Sequence, residues 1–359
     1  MSDESDGPPP AGLGKVGAPL LTRMILPHLG APDDDVLVGP GPGLDTGVWR
    51  VAPGIAMALT TDPVFILPTL GWQRAAWFAV HSLASDAATS GLPLRGMTVD
   101  LNLPPEVTDA DLDTIWSSFA GACADLGITV LTGHTARYAG CAWPMVGGAT
   151  CLALGAEDRY VTPGMARPGD LVVVTKGAAI EATALLAVSF PERLVAAGLA
   201  PDALAAAQAL VPAMTVVPEA QAAAEYGVRD DGVTALHDAT EGGVLSGLVE
   251  IADTSGVGLR IDRDLIPVRP EVGAVCAAAG IDPYAAISEG TLLATVRRGH
   301  ADGVLAAIRS AEVEAAVVGE VVPAADGRTL RAAGEERPLE HPGLDPYWAA
   351  VARLSDAPP

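Results

Sequence analysis

HDATEGGVLSGL (237–248) is the stretch that decides the fold. Four polar residues lead into two glycines, and an apolar helical run follows. Asp238 or Thr240 can cap that helix by accepting backbone N–H bonds. Capping alone does not account for Gly242 and Gly243, because each glycine inside a helix costs about 1 kcal/mol. Two adjacent glycines instead let a ligand approach the backbone closely.

Working outward, three more aspartates sit in short glycine-, threonine- or alanine-rich strings. Asp45 lies in GPGLDTGV (41–48), Asp62 in LTTDPV (59–64) and Asp86 in HSLASDAATSG (81–91). Asp45 reads either as a turn aspartate accepting its own backbone N–H bonds or as a ligand. Asp62 closes an apolar run just before Pro63, where it caps a turn or holds a ligand. Asp86 sits in a helix otherwise made of Ala, Ser, Leu and Val, where a carboxylate needs a partner. Carboxylates at such element ends suit Mg²⁺, which takes a few carboxylates together with substrate phosphates. With glycine turns to hold those phosphates, the pattern points to ATP chemistry without a Walker loop. GLGKVG (12–17) has the wrong spacing for one, and no Ser or Thr follows Lys15.

Other strings carry weaker signals. LTGHTARYAG (131–140) places Gly133, His134 and Thr135 at the end of an extended run, where α/β sites form. His134 reads as an acid–base group or as a satisfied structural histidine. TKGAAIEATA (175–184) sets Lys176 and free N–H groups at a helix start that favours anions. Glu181 in that first turn also favours the helix dipole. No GxSxG string or activated cysteine is present.

Composition narrows the function classes. The chain has 359 residues, which favours two domains. A net charge of −23 disfavours nucleic acid and anionic membranes, and 4% aromatics leave little for base stacking. Cys123, Cys141, Cys151 and Cys276 form no CxxC pair, which argues against a zinc knuckle. The acidic, Pro-rich start is unlike a signal peptide, no unbroken apolar run reaches the roughly 20 residues of a span, and a reducing cytoplasm is the expected home.

The pattern predicts α+β order in two domains. The expected pieces are a disordered leader over 1–11, a first domain over 12–160, a second over 161–335 and a surface tail over 336–359. Strands are expected at 36–39, 48–52, 55–61, 95–103, 128–132 and 144–154, and helices at 71–90 and 108–126. Thr108 caps the latter, with Asp109 and Asp111 in its first turn. In the second half a helix is expected from about 241, with strands at 257–262, 291–296 and 315–321.

Taken in order, TTDP (60–63), ASDAATSGLP (84–93), GHT (133–135), PGD, TK and IEAT within 168–183, HDATEGGV (237–244) and SEGTLL (288–293) resemble the AIR-synthetase (PurM-like) superfamily. The likeness spans about 12–325 and is strongest to the HypE-like, AIR synthase-related branch. It implies an N-terminal domain whose sheet forms a barrel shared across a homodimer, and a C-terminal α+β sandwich. It implies ATP beside that barrel, with Mg²⁺ and phosphates held by Asp45, Asp62, Asp86 and Asp238. Gly14 and Lys15 match a glycine-rich lid, and Gly242 and Gly243 a phosphate-side turn. Thr61, Gly133, Thr135, Lys176 and Thr240 join the nucleotide set, and Lys15 and His134 the catalytic pair.

The implied chemistry is ATP-dependent phosphorylation of an amide- or acid-type oxygen, followed by dehydration or cyclisation, on a small or protein-presented substrate. A kinase of the thiamine-monophosphate type and a non-catalytic dimeric binding protein are the alternatives. This chain departs from the branch in ending LSDAPP, with no cysteine after Cys276, so a self-carried C-terminal thiocarboxamide is not expected. His134 also stands where several members place an acid.

Overall fold

The computed structural model describes residues 16–356. Gly14, Lys15 and the leader over 1–11 lie outside the described residues. Six strands form a first sheet: β1 (Val36–Val38), β2 (Gly47–Ala52), β3 (Ile55–Phe65), β4 (Leu94–Leu103), β5 (Thr129–Arg137) and β6 (Met145–Ala156). Their order is β1-β2-β3-β6-β4-β5. Every neighbouring pair is antiparallel except β4 and β5, which need a crossover. The Asp109–Asp125 helix supplies it, closed by a capping box in which Thr108 and Asp111 exchange hydrogen bonds.

That helix and the Trp72–Thr89 helix pack together, the latter lying on β3 and β6. Strand alternation divides the side chains. Ala56, Ala58, Thr60 and Val64 of β3 point to the helices and are buried. The other face carries Trp49, Val51, Ile55, Met57, Leu59 and Thr61 and stays partly open to solvent.

Seven further strands form a second sheet: β7 (Leu171–Thr175), β8 (Val233–Asp238), β9 (Gly258–Asp262), β10 (Leu292–Val296), β11 (Ala315–Val322), β12 (Arg328–Ala332) and β13 (Glu335–Pro338). The order is β13-β12-β9-β11-β7-β10-β8, with only β9 and β12 parallel. Both faces are covered. β7 sends Val173 into one core and Val172 and Val174 into the other. The first core is continuous with that of the N-terminal sheet, because the Trp72–Thr89 helix also touches β8 and the Val217–Tyr226 helix. No single described helix is long and apolar enough to cross a membrane.

Several boundaries differ from expectation. β3 runs through Asp62 and Pro63 to Phe65, so Asp62 lies within a strand rather than at its end. Pro63 is tolerated there because β2 pairs with β3 only as far as Leu59, so at Pro63 the strand has a neighbour on one side alone, Gly148 of β6. β8 was not anticipated, since its residues VTALHD show no alternation; every one of them is buried. The segment expected as a surface tail contributes β13 and the Pro346–Asp356 helix, with Tyr347 and Ala350 buried. We expect Thr108→Ala to lower unfolding stability by about 1 kcal/mol through loss of its cap, as read by urea denaturation.

Candidate active site

Four elements meet where the two sheets adjoin, and each delivers one aspartate. Asp45 comes from the loop before β2, Asp62 from the helix-facing side of β3, Asp86 from the Trp72–Thr89 helix, and Asp238 from the last position of β8. Their proximity is visible in the Asp86 carboxyl, which is held well above its ordinary range. Burial is the largest cause, and the charges of Asp238, Asp62 and Asp45 all add to it. Thr60 Oγ1 donates to Asp86 Oδ2 at 3.1 Å. Thr89 Oγ1 donates to the Asp86 carbonyl at 2.6 Å and stands 3.3 Å from Asp45 Oδ2.

More acids adjoin this group. Glu289 is 2% exposed, and its carboxyl is raised by burial and then by Asp238 and Glu181. Burial pushes the Glu181 carboxyl up to about 8, with Asp345, Glu241 and Asp238 contributing. Glu181 Oε2 accepts the Glu289 N–H at 3.0 Å. Glu181 is thus a buried partner of Glu289, with its carboxylate turned inward rather than merely favouring a helix dipole. In the sequence the signal for Glu181 was an acid between Ile180 and Ala182 in IEAT.

One basic side chain faces these charges. His237 is buried, and both ring nitrogens face carboxylates: Nδ1 lies 2.7 Å from Asp45 Oδ2 and Nε2 lies 2.8 Å from Glu250 Oε2. Burial alone would lower its pKa, but Asp45 and Glu250 together hold it well above the ordinary histidine value. Ligand atoms of Asp45, His237 and Asp238 lie within 4.8 Å of one another. The aspartates around Asp86 offer only hard oxygen donors, which fit Mg²⁺ far better than a softer ion.

The glycine turn is already engaged. Gly242 caps the Gly243–Ser255 helix in a left-handed conformation, and its N–H donates to Asp345 Oδ2 at 2.7 Å. Asp345 Oδ1 accepts the Tyr347 N–H at 2.8 Å, so one carboxylate closes the starts of two helices. The N-cap residue of this helix is thus Gly242, not Asp238 or Thr240. Gly243 is held at φ +61, where an added Cβ would meet the Ala286 carbonyl at 2.5 Å.

Other expected residues lie apart from the aspartates. Thr61 points to the open face, bonded to Thr150 at 2.8 Å. His134 lies on edge strand β5, in register with Asp100, which pairs with Gly148, which pairs with Pro63. Three strand spacings, about 14 Å, separate it from Pro63; its Nε2 meets Tyr138 Oη at 3.0 Å. Gly133 and Thr135 share that edge strand. Lys176 turns inward. Its Nζ bonds Glu219 Oε1 at 2.5 Å and the Thr215 carbonyl at 2.6 Å, which takes its charge away from any phosphate. The shallow cavity beside Lys176, lined also by Pro267, Arg309 and Glu314, contains none of the aspartates.

Comparison with known proteins agrees with this geometry. The AIR synthase related protein profiles match residues 43–154 with their N-terminal domain and 167–330 with their C-terminal domain. The chain belongs to the AIR synthase-related family, a class of two-domain, PurM-like α+β proteins. Within it, the chain stands on the HypE-like branch. It is 30% identical over 292 residues to carbamoyl dehydratase HypE of Cupriavidus necator, covering 80% of this chain and 78% of the relative. The structure of E. coli HypE, a hydrogenase maturation protein, matches with TM-score 0.67 at 28% identity, over 81% of this chain and 87% of that one. A HypE structure in complex with ATP shares the fold, with TM-score 0.65 at 22% identity over 93% and 97% of the two chains.

The raised carboxyls set a pH dependence. A carboxyl held above its ordinary value binds its proton more tightly in the folded chain, so its contribution is complete below that value and lost as pH rises. Asp86 starts from 3.8 and Glu181 reaches about 8. Without divalent metal, the melting temperature is expected to fall between those limits, and Glu181→Gln to flatten the upper part of the fall. Thermal melts in chelator across that range check both.

Proposed function

We propose that this chain is an ATP- and Mg²⁺-dependent enzyme that phosphorylates the oxygen of an amide-type substrate and so drives its dehydration. The observation that carries the reading is the convergence of Asp45, Asp62, Asp86 and Asp238 from four elements into one place, where burial first and their charges second raise the Asp86 carboxyl. Such crowding disfavours the ionised carboxylates unless cations share the site. Relatives named carbamoyl dehydratase, aligned over 78–80% of the chain, support an amide as the acceptor.

Mg²⁺ held by these aspartates would neutralise a triphosphate that this acidic protein otherwise repels. The residues then do three things. Asp62 and Asp86, on a strand and a helix, fix positions. Glu181, its carboxyl raised to about 8 and bonded to the backbone of buried Glu289, can exchange protons with a substrate nitrogen near neutral pH. The continuous core between the sheets keeps both halves in register. The atoms balance: the γ-phosphoryl passes to the amide oxygen and ADP leaves. The nitrogen then loses its protons as phosphate departs with that oxygen, leaving a carbon–nitrogen multiple bond.

The open apolar face of the first sheet, with Trp49 40% and Ile55 41% exposed, suits a second copy, making a homodimer with a shared barrel. The cytoplasm suits free, reduced cysteines, and the amide is a small molecule or is presented by a partner protein.

Asp86→Asn and Asp238→Asn are each expected to cut ATP turnover about a hundredfold or more, with circular dichroism unchanged. With an oxygen-labelled primary amide, the label should appear in free phosphate. A phosphorylated product that persists would instead make the chain a kinase.

A further inference from the structure

Three of the four aspartates sit on regular elements, but Asp45 sits on a loop, and something must hold it. The loop lies against the Gly243–Ser255 helix, where an added Cβ at Gly43 would meet Glu250 Cβ at 3.0 Å and Thr254 Cγ2 at 3.1 Å. Inside that contact is His237, 3% exposed, with Nδ1 on Asp45 and Nε2 on Glu250. Its ring fits because residue 247 is glycine; a Cβ there would stand 3.3 Å from His237 Cδ2 and 2.5 Å from Leu293 Cδ1.

From this geometry we infer that His237 is a positioning residue, a clamp that fixes the Asp45 loop of the N-terminal half onto the Glu250 helix of the C-terminal half. It does not ligate the metal, although its ligand atoms lie within 4.8 Å of those of Asp45 and Asp238. Both ring nitrogens are spent on carboxylates, Nδ1 on Asp45 and Nε2 on Glu250, so neither is left to bind an ion. The inference rests on the metal–nucleotide reading above only for what Asp45 then does; the clamp itself is a contact between the two halves.

Two substitutions separate the ring's two bonds. His237→Asn places an amide nitrogen near the Nδ1 position and keeps the bond to Asp45. His237→Gln places one near Nε2 and keeps only the bond to Glu250. Loss of a hydrogen bond to a charged group shifts an equilibrium by roughly ten- to a hundredfold. Amide hydrogen exchange over 41–47 in metal-free protein should therefore speed up by about tenfold or more in His237→Gln and by much less in His237→Asn. Equal exchange in wild type and His237→Gln overturns the clamp. Should His237→Gln fail to fold, Glu250→Ala removes the other anchor, and unchanged exchange in that variant overturns it equally.

Mn²⁺, a paramagnetic stand-in for Mg²⁺, tests the second half of the inference. Electron spin echo spectra of bound Mn²⁺ should show no directly coordinated nitrogen, and Mn²⁺ affinity should fall more in His237→Gln than in His237→Asn. A strong nitrogen coupling in wild type, lost in both variants, makes His237 a ligand and overturns the inference. Wild type that binds no Mn²⁺ removes the metal reading itself, and the metal-free exchange comparison then decides the clamp alone.

Discussion

Mutual repulsion between carboxylates is the constraint on which this molecule turns. Asp45, Asp62, Asp86 and Asp238 would separate if each were free, and the acids Glu181 and Glu289 add to the crowding. They stay together because rigid elements hold them. β3 is the second longest strand, β8 is buried along its whole length, and the Trp72–Thr89 helix is packed by both halves. Stability gained by burying apolar surface around these elements is what forces the charges into proximity. The strain of doing so is concentrated where a cation would relieve it, a common arrangement at functional sites.

The helix carrying Asp86 shows how one element serves both purposes. Its Ala75, Ala76, Ala79, Leu83, Ala84 and Ala87 are fully or nearly fully buried. Small side chains let the helix approach β3 and β6 closely on one side and β8 on the other. A single aspartate on this face can then reach carboxylates from both sheets. Ser85, next along, accepts the Val216 N–H at 3.0 Å and so joins the two halves beside it.

Much of this was legible from residue patterns, and what was missed has physical reasons. The Thr108 cap, the strand alternation and the helix periods were readable because they are local. The set of four aspartates was readable because each sits in a distinctive string. Asp62 reads as a strand end because proline usually stops pairing, yet β3 has a free edge beyond Leu59 that accommodates Pro63. Lys176 looked like a phosphate ligand beside its glycine, but Glu219, 43 residues on, claims its charge. The role of His237 leaves no trace in the sequence, because its two partners lie 192 residues before it and 13 after it. Asp345 was unreadable for the same reason: its bond to Gly242 spans 103 residues. Long-range pairing leaves no periodic trace.

Those separations also bear on synthesis. A nascent chain stopped before residue 237 would hold Asp45, Asp62 and Asp86, yet neither their fourth member nor the histidine that anchors the first. The glycine turn waits longer still, for a carboxylate encoded 103 residues further on. Contacts of such reach form late in folding. The centre is therefore completed late, once both halves of the polypeptide have been made and brought together.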